Sequence, residues 1–262
     1  MMLTWDDFII FAAGAVLCWS VAALLAYRKG RGKAVIALSL LGILIFGGFI
    51  GGLWVFLERP PLRTMGETRL FYSWFVAVVG LMVYLRWRYP WILSVSAVLS
   101  VVFIVVNLLK PEIHDKALMP ALQSAWFVPH VIVYMFAYAL LGCAMLVGIY
   151  GCLPAGRVKR PVLFSVADNL VYTGLALLTL GMLFGAIWAK QAWGHYWGWD
   201  PKETWAAITW FTYLMYVHVR YRYPQKYACA LWIVVLAFLF LQICWYGVNY
   251  LPSAEMSIHT YA

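Results

Sequence analysis

The chain has 262 residues, 65% of them hydrophobic and 11% charged, against about 25% charged in an ordinary soluble domain. So few charges cannot cover a globule in water, which excludes a soluble fold and calls for a bilayer. The formal net charge of +9 would suit nucleic acid, but the charges lie in short loops between apolar runs, and no nucleic-acid partner is expected.

About 20 apolar residues cross a hydrocarbon core of about 30 Å. Eight such runs follow one another, near residues 8–27, 34–56, 70–85, 91–109, 125–152, 168–189, 203–219 and 227–249. The first follows Asp6 and Asp7 rather than a basic segment, so it reads as a span and not as a cleaved signal. The loops after the first, third, fifth and seventh runs carry Arg28, Lys29, Arg31 and Lys33; Arg86 and Arg88; Arg157, Lys159 and Arg160; and Arg220, Arg222 and Lys226. Asp168 is the lone acid on that side, which is therefore read as cytoplasmic. The expected fold is all-α: a polytopic integral membrane helical bundle of about eight transmembrane helices, one membrane domain over residues 1–262, with both termini on the non-cytoplasmic side. Cys18, Cys143, Cys152, Cys229 and Cys244 lie in or beside apolar runs without any C-x-x-C, so they read as small apolar residues.

Three segments then face outward: 110–124, 190–203 and 250–262. The second holds the densest chemistry. Trp188, Trp193, Trp197, Trp199 and Trp205, with Tyr196, fall within 18 residues. Interfacial belts need one or two rings per helix end; a cluster of this density suits a large planar ligand with an apolar face, such as haem. Trp193 and Trp197, four apart, are expected to share a helical face. Asp200, Pro201 and Glu203 read as N-cap, N1 and N3 of a capping box opening the seventh span, which would fix the exit angle of the loop.

The string WGHYWGWDPKETW, residues 193–205, resembles the WWD signature of the haem-handling membrane proteins of cytochrome c biogenesis. Its DPKETW ending resembles the CcsA/ResC branch, the system II cytochrome c synthases. The CcmC and CcmF branches share the W-G-x-x-W-x-W-D core and end differently. The likeness runs from about Trp126 to the C-terminal HTYA, similar to the H-S-Y-A/G ending of the family, while the first 70 residues match only as apolar spans. The family usually has a small residue, often Ser, where His195 and Gly198 stand, so the role of His195 stays open between ligand, hydrogen-bond donor and surface residue.

Neutral imidazole is a common axial ligand of haem iron. His130 follows Pro129 at the outer end of the fifth span, and His259 lies in the outer tail. Both can reach the tryptophan loop from opposite sides and make a bis-His site. The resemblance implies the same, since paired external histidines flank the WWD segment in the family. His218 is 16 residues beyond Lys202, about 24 Å of helix, near the cytoplasmic side. There the resemblance implies an inner haem site whose opposite ligand belongs to a CcsB-type membrane partner; the competing reading is a histidine at the inner interface. His114, between Glu112 and Asp115, reads as solvated. Arg59, Arg63 and Arg69 suit haem propionates, lipid phosphate, or the nearby Glu58 and Glu67.

The expected binding set is thus His130, His259 and His218 on haem iron, with Trp193, Tyr196, Trp197, Trp199, Asp200 and Trp205 around the haem b that serves as bound substrate. No nucleophile or acid–base pair stands out. The resemblance implies cytochrome c biogenesis: haem is presented at the outer face and joined by thioether bonds to the CXXCH segment of apocytochrome c, together with the CcsB-type partner. The alternative is a haem exporter or chaperone of CcmC type, which hands haem on without ligating it. A b-type electron-transfer subunit fits less well, because His130 and His218 stand at opposite faces. The expected location is a bacterial inner membrane, with the thylakoid as alternative and the WWD loop on the periplasmic or lumenal side.

Overall fold

The computed structural model describes residues 4–110 and 124–257. Among these residues lie eight long helices: α1 (Phe8–Leu25), α2 (Gly32–Leu57), α3 (Met65–Trp87), α4 (Pro90–Leu109), α5 (Phe127–Cys152), α6 (Arg160–Trp193), α7 (Pro201–Arg222) and α8 (Tyr227–Trp245). No strand occurs among the described residues. Seven of the eight are long and apolar enough to cross a bilayer. The exception, α7, has 22 residues, about 33 Å, but is rich in Trp, Tyr, Thr and charge. The chain is a polytopic helical membrane protein, as its composition requires.

Two compact units divide the chain at residues 119 and 120. In the first, α1 packs on α2 and α4, and α3 packs on α2 and α4, which closes a four-helix arrangement. In a membrane the inward face differs from the lipid face by size and fit rather than by polarity. Helix α1 shows this: Phe8, Ala12, Ala15, Trp19 and Ala22 are buried at helical spacing while Ile9, Leu17 and Leu24 are exposed. Gly42 of α2 leaves room for the Trp19 indole, which a β-carbon there would approach within 2.6 Å. Polar ties between α3 and α4 are backbone-directed. Ser73 Oγ donates to the Ser100 carbonyl at 3.0 Å and Ser100 Oγ to the Ser73 carbonyl at 2.8 Å.

In the second unit α5 lies between α6 and α8, and α7 packs on α8 and on α6. A row of small residues on α6 admits side chains from α5: Gly174 takes Leu141, Gly181 takes Tyr134, and Gly185 takes His130. At the basic ends of α6 and α7, Arg220 donates twice to Asp168, at 2.9 and 2.8 Å, and Tyr216 donates to the same carboxylate at 2.6 Å. Helix α6 has 34 residues, about 51 Å, and begins eight residues earlier than its apolar run. Hydropathy marks where the bilayer starts, while the helix itself starts at Arg160, with Pro161 in the first turn, where its missing N–H costs least.

Candidate functional site

The aromatic segment of the second unit is built from two helix ends. Helix α6 stops at Trp193 because Gly194 takes a left-handed conformation, φ 86°. Lys190 caps that end, its ammonium donating to the Gly194 carbonyl at 2.7 Å while lying 5.5 Å from the centre of the Tyr196 ring. The loop proper is therefore only residues 194–200. Trp193 closes a helix and Trp197 lies beyond the break, so the two do not share a helical face.

At the other end, the capping box read from Asp200, Pro201 and Glu203 is formed. Asp200 accepts from the Lys202 amide at 2.8 Å. Glu203 Oε2 accepts from the amides of Gly198, at 2.7 Å, and Asp200, at 3.2 Å. Both carboxylates are buried. One glutamate thus ties the loop to the first turn of α7, which fixes where residues 197–199 emerge. Trp199 holds a left-handed backbone at φ 57° and is 71% exposed. A bulky residue seldom adopts that region, and such strain clusters at functional sites. Its ring meets Trp197 edge to face, 5.8 Å apart at 86°. Tyr196 is 59% exposed, and Trp205 packs on Phe240 of α8.

His130 sits in the first turn of α5 beside Pro129, where proline costs least. Its Nδ1 lies 2.8 Å from the Gly181 carbonyl. A carbonyl only accepts, so a neutral ring bonded here carries its proton on Nδ1 and its lone pair on Nε2, the arrangement of a metal-ligating histidine oriented by backbone. Its ring stacks on Trp188, 5.5 Å away at 27°, and meets Tyr134 edge-on at 4.5 Å. Trp188 in turn meets Trp193 at 4.9 Å. His130 therefore joins the aromatic segment through Trp188.

The tail returns to the same place. Ser257 Oγ donates to Asp200 Oδ1 at 3.0 Å, and both residues are buried. His259, two residues on, lies outside the described residues, as does His114. His195 is exposed, and its ring leaves no room for a side chain at Gly198, whose β-carbon would come within 2.9 Å. His218 is exposed on α7, two residues from Arg220 and its bond to Asp168.

In the first unit, Arg59 is spoken for. It donates to both oxygens of buried Glu67, at 3.0 and 2.8 Å, so of the partners considered for it the nearby glutamate is the one found. Glu67 also accepts from the amides of Arg63 and Thr64 as N3 of the α3 capping box. Burial, and then the Arg59 charge, lower the Arg63 pKa, partly offset by Glu67. The described residues contain no group of three or more His, Cys, Asp or Glu side chains able to hold a bare metal ion. The cysteines form no disulfide, and Cys244 donates to the Lys202 carbonyl at 3.3 Å.

Sequence reasoning missed Ser257, Tyr134, Gly181 and Gly185. The last two had a signal, since Gly181-x-x-x-Gly185 in an apolar run is a close-packing pattern.

Residues 62–254, well over half of the chain, match the family described as cytochrome C assembly protein. The chain is similar to plant proteins named cytochrome c biogenesis protein CcsA. It is 29% identical to that of Panax ginseng over 88% of this chain and 84% of the relative. For Amborella trichopoda the figures are 30%, 88% and 85%, and for Nymphaea alba 30%, 79% and 79%.

Proposed function

Because the chain belongs to the cytochrome c assembly protein family, and so takes part in cytochrome c biogenesis, we propose that its second unit binds haem at the outer face and positions it for covalent attachment to apocytochrome c. The supporting observation is the orientation of His130. Its Nδ1 is spent on the Gly181 carbonyl, so Nε2 is the ligating nitrogen in this reading, and the Trp188 and Tyr134 rings flank the imidazole. A donor set of one oriented imidazole and several indoles fits a porphyrin better than a bare cation.

His259 is the second axial ligand in this reading. The bond from Ser257 to Asp200 supports it, since two residues span at most about 7 Å beyond that anchor. Trp193, Tyr196, Trp197 and Trp199 line the porphyrin, while Asp200, Trp205 and Glu203 hold the loop. Haem is the substrate here. The thiols of a CXXCH segment add across its two vinyl groups; each sulfur bonds one vinyl carbon and each proton goes to the other, so nothing is oxidised or reduced. The protein supplies position, which in model reactions lowers barriers by roughly 7–11 kcal/mol. His218, at the far end of α7, serves an inner haem site completed by a CcsB-type membrane partner.

The test is reconstitution. Purified chain, alone and with its partner, is mixed with ferrous haem and a CXXCH peptide, and the product is read by mass spectrometry. A thioether adduct, lost in H130A and H259A, is the expected result. Haem transfer without covalent product would make the chain a carrier instead, and full haem binding by both variants would refute the site.

A further inference from the structure

We propose that Gly181 and Gly185 are positioning residues for His130: the carbonyl of one chooses which ring nitrogen bears the proton, and the missing side chain of the other makes room for the ring. This rests on reading His130 as an iron ligand and adds what gives it a ligand's geometry.

The Nδ1–Gly181 contact of 2.8 Å fixes the tautomer. A β-carbon at Gly185 would stand 2.7 Å from His130 Cε1 and 2.8 Å from Nδ1. Non-bonded carbon contacts are optimal near 3.5–4.0 Å, so any side chain at 185 pushes the ring aside and breaks its bond to Gly181. A β-carbon at Gly181 would overlap the ring of Tyr134, which meets His130 edge-on. Trp188 stacks on the imidazole, 5.5 Å away at 27°. The ring is thus held by a backbone acceptor, two aromatic neighbours and a notch in α6, and one methyl group is enough to disturb it. Gly174 supplies an internal comparison. It receives Leu141 on the same face of α6, where a β-carbon would come within 2.6 Å, yet its neighbours there are Leu141 and Leu140 rather than His130 or Tyr134.

The experiment uses the full chain in detergent. Three quantities are read: the His130 tautomer by ¹⁵N-histidine NMR without haem, affinity for ferrous protohaem by absorbance titration, and the melting temperature. Wild type should show a protonated Nδ1. G185A should lose that signature and bind haem at least about tenfold more weakly, the usual cost of disturbing an outer-shell partner. H130A/G185A should be no weaker than H130A, because both changes act through one side chain. G174A should melt lower with haem affinity unchanged. The proposal is overturned by an Nε2-protonated His130 in wild type, which decides the matter even where G185A fails to fold. It is equally overturned by wild-type affinity in G185A, or by additive losses in the double variant. If H130A itself binds haem like wild type, the ligand reading fails instead, while the NMR comparison still decides the packing claim.

Discussion

Asp200 shows how much one side chain can organise. It starts α7, and it also receives the tail through Ser257. Asp200→Ala should lower the melting temperature by an amount matching about 1–2 kcal/mol for the lost cap, and should expose the tail to limited proteolysis. Ser257→Ala should expose the tail while leaving the cap intact. Equal effects of the two on the melt would deny the cap its separate share. The sequence disclosed the cap, because Asp, Pro and Glu at N-cap, N1 and N3 act locally. It could not disclose Ser257, whose partner is 57 positions away. Trp199 offers a prediction of opposite signs. Its left-handed backbone costs roughly 1–2 kcal/mol in a residue with a β-carbon. Trp199→Gly should therefore melt higher while binding haem more weakly, and a variant that loses both would show that the ring matters to packing.

At the scale of the element, helix ends were legible only where chemistry is local. The Asp200–Glu203 box was read from neighbouring residues, whereas the Thr64–Glu67 box, which starts α3 five residues before its apolar run, was not. Nor was the early start of α6, because Ser165, Asp168 and Asn169 interrupt the apolar pattern after Val162, Leu163 and Phe164. Nor was the end of α8 at Trp245, where the chain passes into a 3-10 turn, Gly247–Tyr250, that keeps the composition of the helix. The α6–α7 clamp is equally non-local: Asp168 and Arg220 are 52 positions apart and mostly buried. Asp168→Ala should destabilise the protein by about 1.5–3 kcal/mol, the range for hydrogen bonds to charged groups. Arg220→Lys should recover only part of Arg220→Ala, because lysine cannot make the double contact. Full rescue by lysine, read in the same melts, would reduce the clamp to simple charge attraction.

For the whole molecule, composition alone called for the bilayer, and the eight apolar runs fall on the eight long helices among the described residues, seven of them apolar enough to cross it. The polar character of α7 is consistent with a helix whose N-terminal end serves a loop and whose C-terminal end carries His218 and two arginines. The charge asymmetry predicts which way the chain crosses. In a Cys229→Ser background, Tyr196→Cys should react with an impermeant maleimide from outside. Tyr221→Cys should react only after permeabilisation. The reverse pattern would invert the topology and move the aromatic segment to the cytoplasm.

Helix α6 outlasts a hydrocarbon core of about 30 Å by some 20 Å. It must lean, or protrude into the headgroups, and the balance depends on bilayer thickness. Its C-terminal half bears Trp188 and the notch that seats His130, so acyl-chain length becomes a mechanical input to the imidazole. Proteoliposomes of short- and long-chain phosphatidylcholine should differ in haem affinity, and the sensitivity should vanish when His130 is removed.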